Sequence, residues 1–201
     1  KKGTAFMYLL PFCDRTALVE YTMFSKEILK QEEYEYEIKK YLYDNYRLDK
    51  GNYQVMETER GAIPMKMRNT KTKEKMNVFY IGVAGGTNKP TTGYAFNRIH
   101  RMNMRIVEQI SKGKVPKVVS LSPKRYRFYD ILLLDILENE PEVSVNIFSK
   151  LFKRNTMDSI LKFMDEKAGW LENVRLLVTL PWMPFLKALW RKRKQLLNGD
   201  F

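Results

Sequence analysis

The chain has 201 residues, of which 44% are hydrophobic and 29% charged, so it predicts a packed core rather than a disordered segment. Cys13 is the only cysteine and His100 the only histidine. This excludes a disulfide framework, a cysteine-based metal site and a histidine pair within the chain, and it fits a reducing, cytoplasmic compartment. The net charge of +13 is expected to attract the phosphates of nucleic acid, lipid or a cofactor.

The first elements are predicted to be two strands. Residues 4–10 form an apolar run, Asp14 and Arg15 make a turn, and residues 16–24 form a second run of strand length. Because both faces of the second strand carry apolar residues, we expect it to be covered on both sides. Glu20 would then be a carboxylate in a costly place, paired with Arg15 or a lysine in the simplest interpretation.

The next segments alternate in type. Residues 26–47 show apolar positions at helical spacing, with glutamates early and lysines later, which predicts a helix. Residues 53–67 are interpreted as strand, interrupted by Gly61 and Pro64. Residues 78–81 predict a short buried strand.

The stretch from residue 80 to residue 98 is the centre of the pattern. Its glycines allow close approach of another molecule, and Thr91 or Thr92 is predicted to cap a helix running from about residue 92 to residue 110. The first turn of that helix would offer free N–H groups to an electron-rich ligand. The alternative is an ordinary strand–turn–helix connection, since such glycine patterns are common.

The second half predicts only helices, over residues 126–137, 142–152, 156–165, 171–179 and 184–197. The fold class is therefore α+β, with a sheet-containing region over residues 1–115 and a helical region over residues 116–201. Asp130 and Asp135 lie five residues apart, so they do not share a helix face, and we interpret them as surface or capping residues.

The last helix allows two interpretations. Trp182 and Phe185 are expected to pack in a core, whereas the basic run Arg191–Lys194 beside Trp190 is typical of a helix on an anionic membrane surface.

Four segments carry a family resemblance: the hairpin Phe6–Pro11 with Ala17–Ser25, then Gly61–Met65, Ile81–Phe96 and Leu180–Phe185. In this order they resemble flavin-dependent lycopene cyclases of the bacterial β-cyclase type. The resemblance covers essentially the whole chain. It implies the C-terminal half of an FAD-dependent fold related to the flavin monooxygenases, with a substrate-binding sheet followed by a helical region.

The resemblance also implies a cofactor site. The dinucleotide fingerprint Gly-x-Gly-x-x-Gly is absent from these residues. We therefore expect the chain to be an N-terminally truncated fragment that binds FAD poorly and is inactive alone. Val83 stands where the wider flavoprotein pattern has an aspartate, and Ala95 replaces a glycine. The FAD contacts that the resemblance implies are Gly82, Gly85, Gly86, Pro90, Thr91, Thr92 and Gly93, with backbone N–H groups near Thr92 and Gly93 facing the flavin.

In the family, the reaction is an isomerisation of lycopene at a membrane surface. A proton adds to a terminal double bond, a neighbouring double bond attacks the cation, and loss of another proton fixes the β-ring. The resemblance places the acidic motif at Glu20, and burial of a glutamate favours its protonated form. FAD works in reduced form, with NAD(P)H as reductant.

Two other functions remain open. One is a prenoid reductase or hydroxylase of the same FAD-dependent fold. The other is a non-enzymatic basic module that binds membrane or nucleic acid. The basic residues are dispersed outside the last helix and no nucleic-acid motif is present, which disfavours nucleic acid as a partner. The pattern predicts no metal site and does not indicate an oligomeric state.

Overall fold

The computed structural model describes residues 3–65, 80–116 and 122–198. Over these residues the chain is α+β, with one two-stranded sheet and seven helices. The chain divides into two compact units, Lys1–Ala62 and Ile63–Phe201. The elements are β1 (Thr4–Cys13), β2 (Thr16–Phe24), α1 (Gln31–Tyr46), α2 (Phe96–Ser111), α3 (Lys124–Asn139), α4 (Pro141–Arg154), α5 (Met157–Met164), α6 (Trp170–Leu177) and α7 (Trp182–Leu197).

The first unit is the predicted hairpin with one helix. β1 and β2 pair antiparallel, with Thr4 opposite Phe24 and Leu10 opposite Leu18, and the register shifts between Pro11 and Cys13 near the turn. Because side chains alternate along a strand, Tyr21 and Glu20 lie on opposite faces. Tyr21 meets Tyr34 of α1 edge-on, with ring centroids 5.9 Å apart. Helix α1 therefore packs on the Tyr21 face of the hairpin.

Helix α1 is confirmed, although it begins at Gln31, five residues later than predicted, and ends at Tyr46. The Glu33 carboxylate accepts a hydrogen bond of 2.9 Å from the backbone N–H of Lys30, which satisfies a donor that the helix leaves free. Arg47 adopts the left-handed conformation just past the helix, and its N–H donates to the carbonyls of the last turn.

The strand predicted over residues 53–67 is wrong over its described part. Residues 53–65 form no strand, in keeping with Gly61 and Pro64, which remove regular pairing. The remaining two residues of that prediction, and residues 78–79 of the short strand predicted over 78–81, lie outside the described residues. Residues 80 and 81 are not in a strand.

The second unit is a helical assembly with its core on α3. Leu132 and Ile136 of α3 are buried against Ile147 of α4 and Ala188 of α7. Phe128, Val143, Leu180, Phe185 and Leu196 pack around this cluster. Phe185 therefore belongs to the periphery of the core, as predicted.

The five helices predicted in the second half are confirmed as α3 to α7, with ends shifted by up to two residues. Helix α2 begins at Phe96 rather than near residue 92. No helix in the described parts of the chain is long and apolar enough to cross a membrane. The predicted boundary at residue 115 remains a prediction, and it lies within the second compact unit.

Candidate functional site

The glycine loop, residues 80–95, is a series of tight turns. Gly82, Gly86 and Gly93 have φ of 65°, 73° and 73°, a backbone region that side chains with a Cβ rarely adopt. Gly85 is required for a different reason, because a Cβ there would overlap the carbonyl oxygen of Tyr80. The spacing of these glycines thus has a local structural cause.

Internal hydrogen bonds close the loop on itself. The N–H of Thr87 donates to the Gly82 carbonyl at 3.0 Å, and the N–H of Lys89 donates to the Tyr94 carbonyl at 2.8 Å. The N–H groups of Thr92 and Gly93 both donate to the Lys89 carbonyl, at 3.4 and 2.8 Å. These two amides are therefore engaged within the loop, and the expectation that they face a flavin remains a prediction.

The loop delivers the N-terminus of α2 without a side-chain cap. The residue before the helix is Ala95, and it makes no side-chain cap hydrogen bond. The prediction that Thr91 or Thr92 caps this helix is wrong. The hydroxyl of Thr91 donates to Asp130, and the hydroxyl oxygen of Thr92 accepts from the N–H of Tyr94.

Residues 87–91 are buried, although four of the five are polar. Lys89 is only 4% exposed, and its ammonium group donates to both carboxylate oxygens of Asp130, at 2.9 and 3.1 Å. Thr91 donates to the same carboxylate at 2.7 Å. A loop residue and a helix residue thus form a dry ion pair between two side chains that are each nearly inaccessible.

A second carboxylate completes this arrangement, which we call the Lys89 cluster: Lys89, Thr91, Arg98, Asp130 and Glu166. The Glu166 carboxylate accepts from Arg98 at 2.7 Å and lies 3.4 Å from the Lys89 nitrogen. The hydroxyl of Ser122 also donates to Glu166, at 2.7 Å. Two cations and two anions balance, which is the condition for keeping such charges in an apolar interior.

The burial of Asp130 has an electrostatic consequence. Removal from water raises the pKa of the Asp130 carboxyl, while the Lys89 ammonium and the Thr91 hydroxyl act in the opposite direction. Lys89 also lies 5.8 Å from the centre of the Tyr126 ring, which adds a favourable contact for the cation.

Further bonds tie the loop and α2 to their surroundings within the second unit. The Asn88 amide donates to the Pro64 carbonyl at 3.1 Å, and the Arg98 Nε donates to the Thr87 carbonyl at 2.8 Å. Asn97 donates to Asp165 at 3.1 Å, and Lys167 and Asn97 hold the pKa of the Asp165 carboxyl below its ordinary value.

The predicted cofactor contacts divide into two groups. Gly82, Gly85 and Gly86 lie on a partly exposed edge of the loop, whereas Pro90 and Thr91 are buried. The glycine edge and the uncapped N-terminus of α2 fit the approach of an electron-rich ring. Pro90, Thr91, Thr92 and Gly93 instead hold the loop together, and their contact with a cofactor remains a prediction.

Glu20 lies in the first unit, on β2. It is exposed, and its carboxylate accepts a hydrogen bond of 2.7 Å from Thr22. The expectation that both faces of this strand are covered is wrong, because α1 packs only on the Tyr21 face. Among the described residues, no ion pair is formed by Glu20, neither with Arg15 nor with a lysine.

Sequence reasoning missed the buried charges of the second unit. Asp130 and Asp135 were predicted at the surface or in caps, yet both are buried. The available signal was their position, because Asp130 directly precedes an apolar run in α3 and Asp135 interrupts one. The described residues hold no group of three or more metal-ligating side chains.

Comparison with known proteins identifies the family. The family model described as lycopene cyclase protein matches residues 1–190. No curated protein and no solved structure gives a significant match to the chain. The matched range includes the hairpin with Glu20, the glycine loop and most of α7. The chain therefore belongs to the lycopene cyclase family.

Proposed function

We propose that this protein is a lycopene β-cyclase, which closes the ends of lycopene into β-ionone rings by acid–base chemistry without net oxidation. The observation that carries the proposal is the exposed face of the hairpin. Glu20 lies directly opposite Tyr8, and the next pair on the same face is Leu10 with Leu18. All four side chains are exposed. A single carboxylate in an apolar strip suits a hydrocarbon substrate that must be protonated.

The chemistry assigned to Glu20 follows from this setting. A hydrocarbon lying over the strip would exclude water from the carboxyl group, and exclusion of water favours its neutral, proton-donating form. The proton adds to the terminal double bond, the neighbouring double bond closes the ring, and a second proton leaves the ring cation. Thr22 orients the carboxylate through its hydroxyl hydrogen bond.

The cofactor is part of the same proposal. FAD in reduced form, with NAD(P)H as reductant, supplies an electron-rich ring system to a reaction that passes through a carbocation. Gly82, Gly85 and Gly86 would hold it through close backbone approach, and the N-terminus of α2 would face it with free N–H groups. This assignment implies the flavin monooxygenase-like fold class and isomerase activity.

Substitution of Glu20 tests the assignment. In a host that accumulates lycopene, the full coding sequence should yield a ring product with the mass of lycopene. The Glu20→Gln variant should lower ring formation by about 10²- to 10⁴-fold, the range expected for loss of a general acid. Glu32→Gln, at another exposed glutamate of the first unit, is the matched control. Undiminished ring formation by Glu20→Gln would remove Glu20 from the chemistry, and a product heavier by hydrogen or oxygen would indicate a reductase or hydroxylase.

The substrate is a lipid-soluble hydrocarbon, and α7 suggests how the protein reaches it. Trp182 and Trp190 are 67% and 69% exposed, so the expected core position of Trp182 is wrong. Met183 and Leu186 are also exposed and recur with them at helical spacing, on the side opposite the buried Ala188. Arg193 stacks on the Trp190 ring at 4.2 Å. This face combines apolar anchors with positive charge, as a helix at an anionic bilayer surface does.

Peripheral attachment to the cytoplasmic face of a membrane is therefore included in the proposal. Trp182→Ala and Trp190→Ala should each reduce sedimentation with vesicles of mixed neutral and anionic phospholipid. Phe152→Ala, at an exposed aromatic residue of α4, is the control. Equal sedimentation of all variants would exclude α7 as the attachment surface.

A further inference from the structure

We propose that Lys89 and Asp130 are positioning residues, whose buried ion pair fixes the glycine loop in the conformation that presents Gly82, Gly85 and Gly86 to the flavin. The inference rests on the proposed function for the identity of the ligand. It does not rest on it for the mechanical role of the pair, because that role follows from contacts within the second unit.

The residue types of the loop place few restrictions of their own on its backbone. It contains no helix or strand, and Gly82, Gly86 and Gly93 carry no side chain that restricts the backbone. Two sets of hydrogen bonds hold the loop. The glycine turns are closed locally, by bonds such as that from the Thr87 N–H to the Gly82 carbonyl, whereas the bonds of residues 89–94 converge on Lys89. Lys89 donates its N–H to Tyr94 and accepts from both Thr92 and Gly93 through its carbonyl.

The side chain of that same residue leads away from the glycine edge and into the unit. Its ammonium group binds Asp130, at the middle of a helix whose neighbouring residues form the core. Thr91, two residues further along, binds the same carboxylate. The loop is thus attached to α3 at two points, and both attachments end on Asp130.

The observed loop conformation is favoured in free energy over one in which Lys89 leaves Asp130. An alternative loop conformation that removed Lys89 would leave the Asp130 carboxylate buried with only Thr91 as partner, which is unfavourable for a buried charge. It would also separate Lys89 from Glu166, which lies 3.4 Å away. The ion pair therefore restricts the loop from the buried side and leaves its glycine edge accessible.

Helix α3 offers a matched control for this inference. Asp135 lies on the same helix, is as fully buried as Asp130, and is likewise held by a cation, Arg191, at 2.6 Å. No residue of the glycine loop binds it among the contacts of the described residues. Asp130→Asn and Asp135→Asn therefore make the same chemical change in one helix, but only Asp130→Asn affects the loop.

Hydrogen exchange measures the mechanical part. The reporters are the amides of Thr87, Lys89 and Gly93, which are bonded inside the loop. Asp130→Asn should accelerate their exchange by about tenfold or more relative to both the original chain and Asp135→Asn, because local opening becomes easier. Thr91→Val, which keeps the ion pair, should produce a smaller acceleration. Lys89→Arg should restore protection relative to Lys89→Met.

Flavin affinity measures the functional part. FAD is titrated into the product of the full coding sequence while flavin fluorescence is followed. Asp130→Asn should weaken binding by about tenfold, in proportion to the lost loop population, and Asp135→Asn should leave it unchanged.

The outcomes separate the two claims. Equal acceleration of loop exchange by both asparagine variants, or acceleration by neither, would overturn the positioning role. If Asp130→Asn alone accelerates exchange while FAD affinity is unchanged, the role toward the cofactor is overturned. If the original protein binds no FAD, the flavin part of the proposed function fails, although selective acceleration would still support the mechanical role of the pair.

Discussion

Helix α3 carries two buried aspartates, and each carboxylate is paired with a cation from a different part of the chain. Asp130 is bound by Lys89, a residue of a loop, and that lysine is itself buried. Asp135 is bound by Arg191 and approached by Lys192 at 3.7 Å, both on α7, and these side chains are about one-third exposed. The ion pair at Asp130 determines where a loop lies, whereas α7 is already placed by its packing on the core.

The comparison also explains the basic run of the last helix. Arg191 binds Asp135 and Glu140, and Lys192 lies near Asp135, so two of its four cations serve the contact between α7 and α3. Arg193 and Lys194 are exposed. Arg191 and Lys192 therefore hold α7 against α3, whereas Arg193 and Lys194 belong to the surface that we propose for membrane binding.

The largest expected effect is at the buried pair. Lys89→Ala should lower the free energy of unfolding of the second unit by about 3–5 kcal/mol, because it leaves Asp130 buried with an uncompensated charge. Chemical denaturation followed by far-ultraviolet circular dichroism measures the loss. A change below about 1 kcal/mol, typical of exposed ion pairs, would contradict the comparison.

A smaller loss is expected at the α7 pair. Arg191→Ala should cost about 1–3 kcal/mol, because Asp135 keeps Lys192 nearby and the Arg191 side chain is about one-third exposed. The double variant with Lys89→Ala should show additive losses within about 0.5 kcal/mol, since the two cations share no carboxylate. Strong non-additivity in the same denaturation experiment would mean that the two clusters are one network.

Substitution of Tyr126 tests whether its ring, which contacts the Lys89 ammonium group, or its hydroxyl stabilises the loop. Its hydroxyl lies 3.1 Å from both the Ala168 carbonyl and the Asn173 side-chain oxygen, in a fully buried position. Tyr126→Phe should cost about 1 kcal/mol through the lost hydrogen bond while retaining the ring near Lys89. The loop amides should keep their exchange rates, and their acceleration would show that the hydroxyl rather than the ring supports the loop.

The smallest effect is a difference in pH dependence. Arg191 and Lys187 hold the pKa of Glu140 below its ordinary value of 4.5, so its contribution is present above that pH and is lost as pH falls through the folded-state pKa. The stability advantage over Glu140→Gln, about 0.5–1 kcal/mol at neutral pH, should shrink on acidification.

The change of stability with pH should have the opposite sign for Asp130. Its pKa is raised by burial, so ionisation costs stability above the folded-state pKa, and acidification removes that cost relative to Asp130→Asn. Unfolding curves from pH 7 to pH 3 measure both differences, and two slopes of the same sign would contradict the assignment.

The sequence predicted the helices well and the strands less well. The hairpin and α3 to α7 follow from strong periodicity and clear breakers, which are local signals. The strand over residues 53–65 failed because its apolar residues have no regular period and Gly61 and Pro64 oppose pairing. The start of α2 was misplaced because Thr91 and Thr92 suit a helix cap, whereas their hydroxyls serve Asp130 and Tyr94 instead.

The candidate site was predictable only in part. The spacing of the glycines located the loop, because glycine is the residue that most readily adopts the positive φ that tight turns require. The Lys89–Asp130 pair was not predictable, because it joins residues 41 positions apart. A lysine beside a proline in a loop also indicates a solvent-exposed side chain rather than a buried one. The exposure of Glu20 likewise depends on which face of the hairpin α1 covers, and the apolar residues on both faces of β2 do not decide that.

Lycopene conversion in ordinary and heavy water tests the central claim most directly. The protein made from the full coding sequence is purified and supplied with lycopene in vesicles, FAD and NADPH. The carotenoid that it forms is then analysed by mass spectrometry. The account predicts a ring product with the mass of lycopene in ordinary water and one additional deuterium for each ring in heavy water, because the proton comes from an exchangeable acid. A product that gains hydrogen or oxygen in ordinary water, or a ring that forms without deuterium in heavy water, would contradict cyclisation by general-acid protonation.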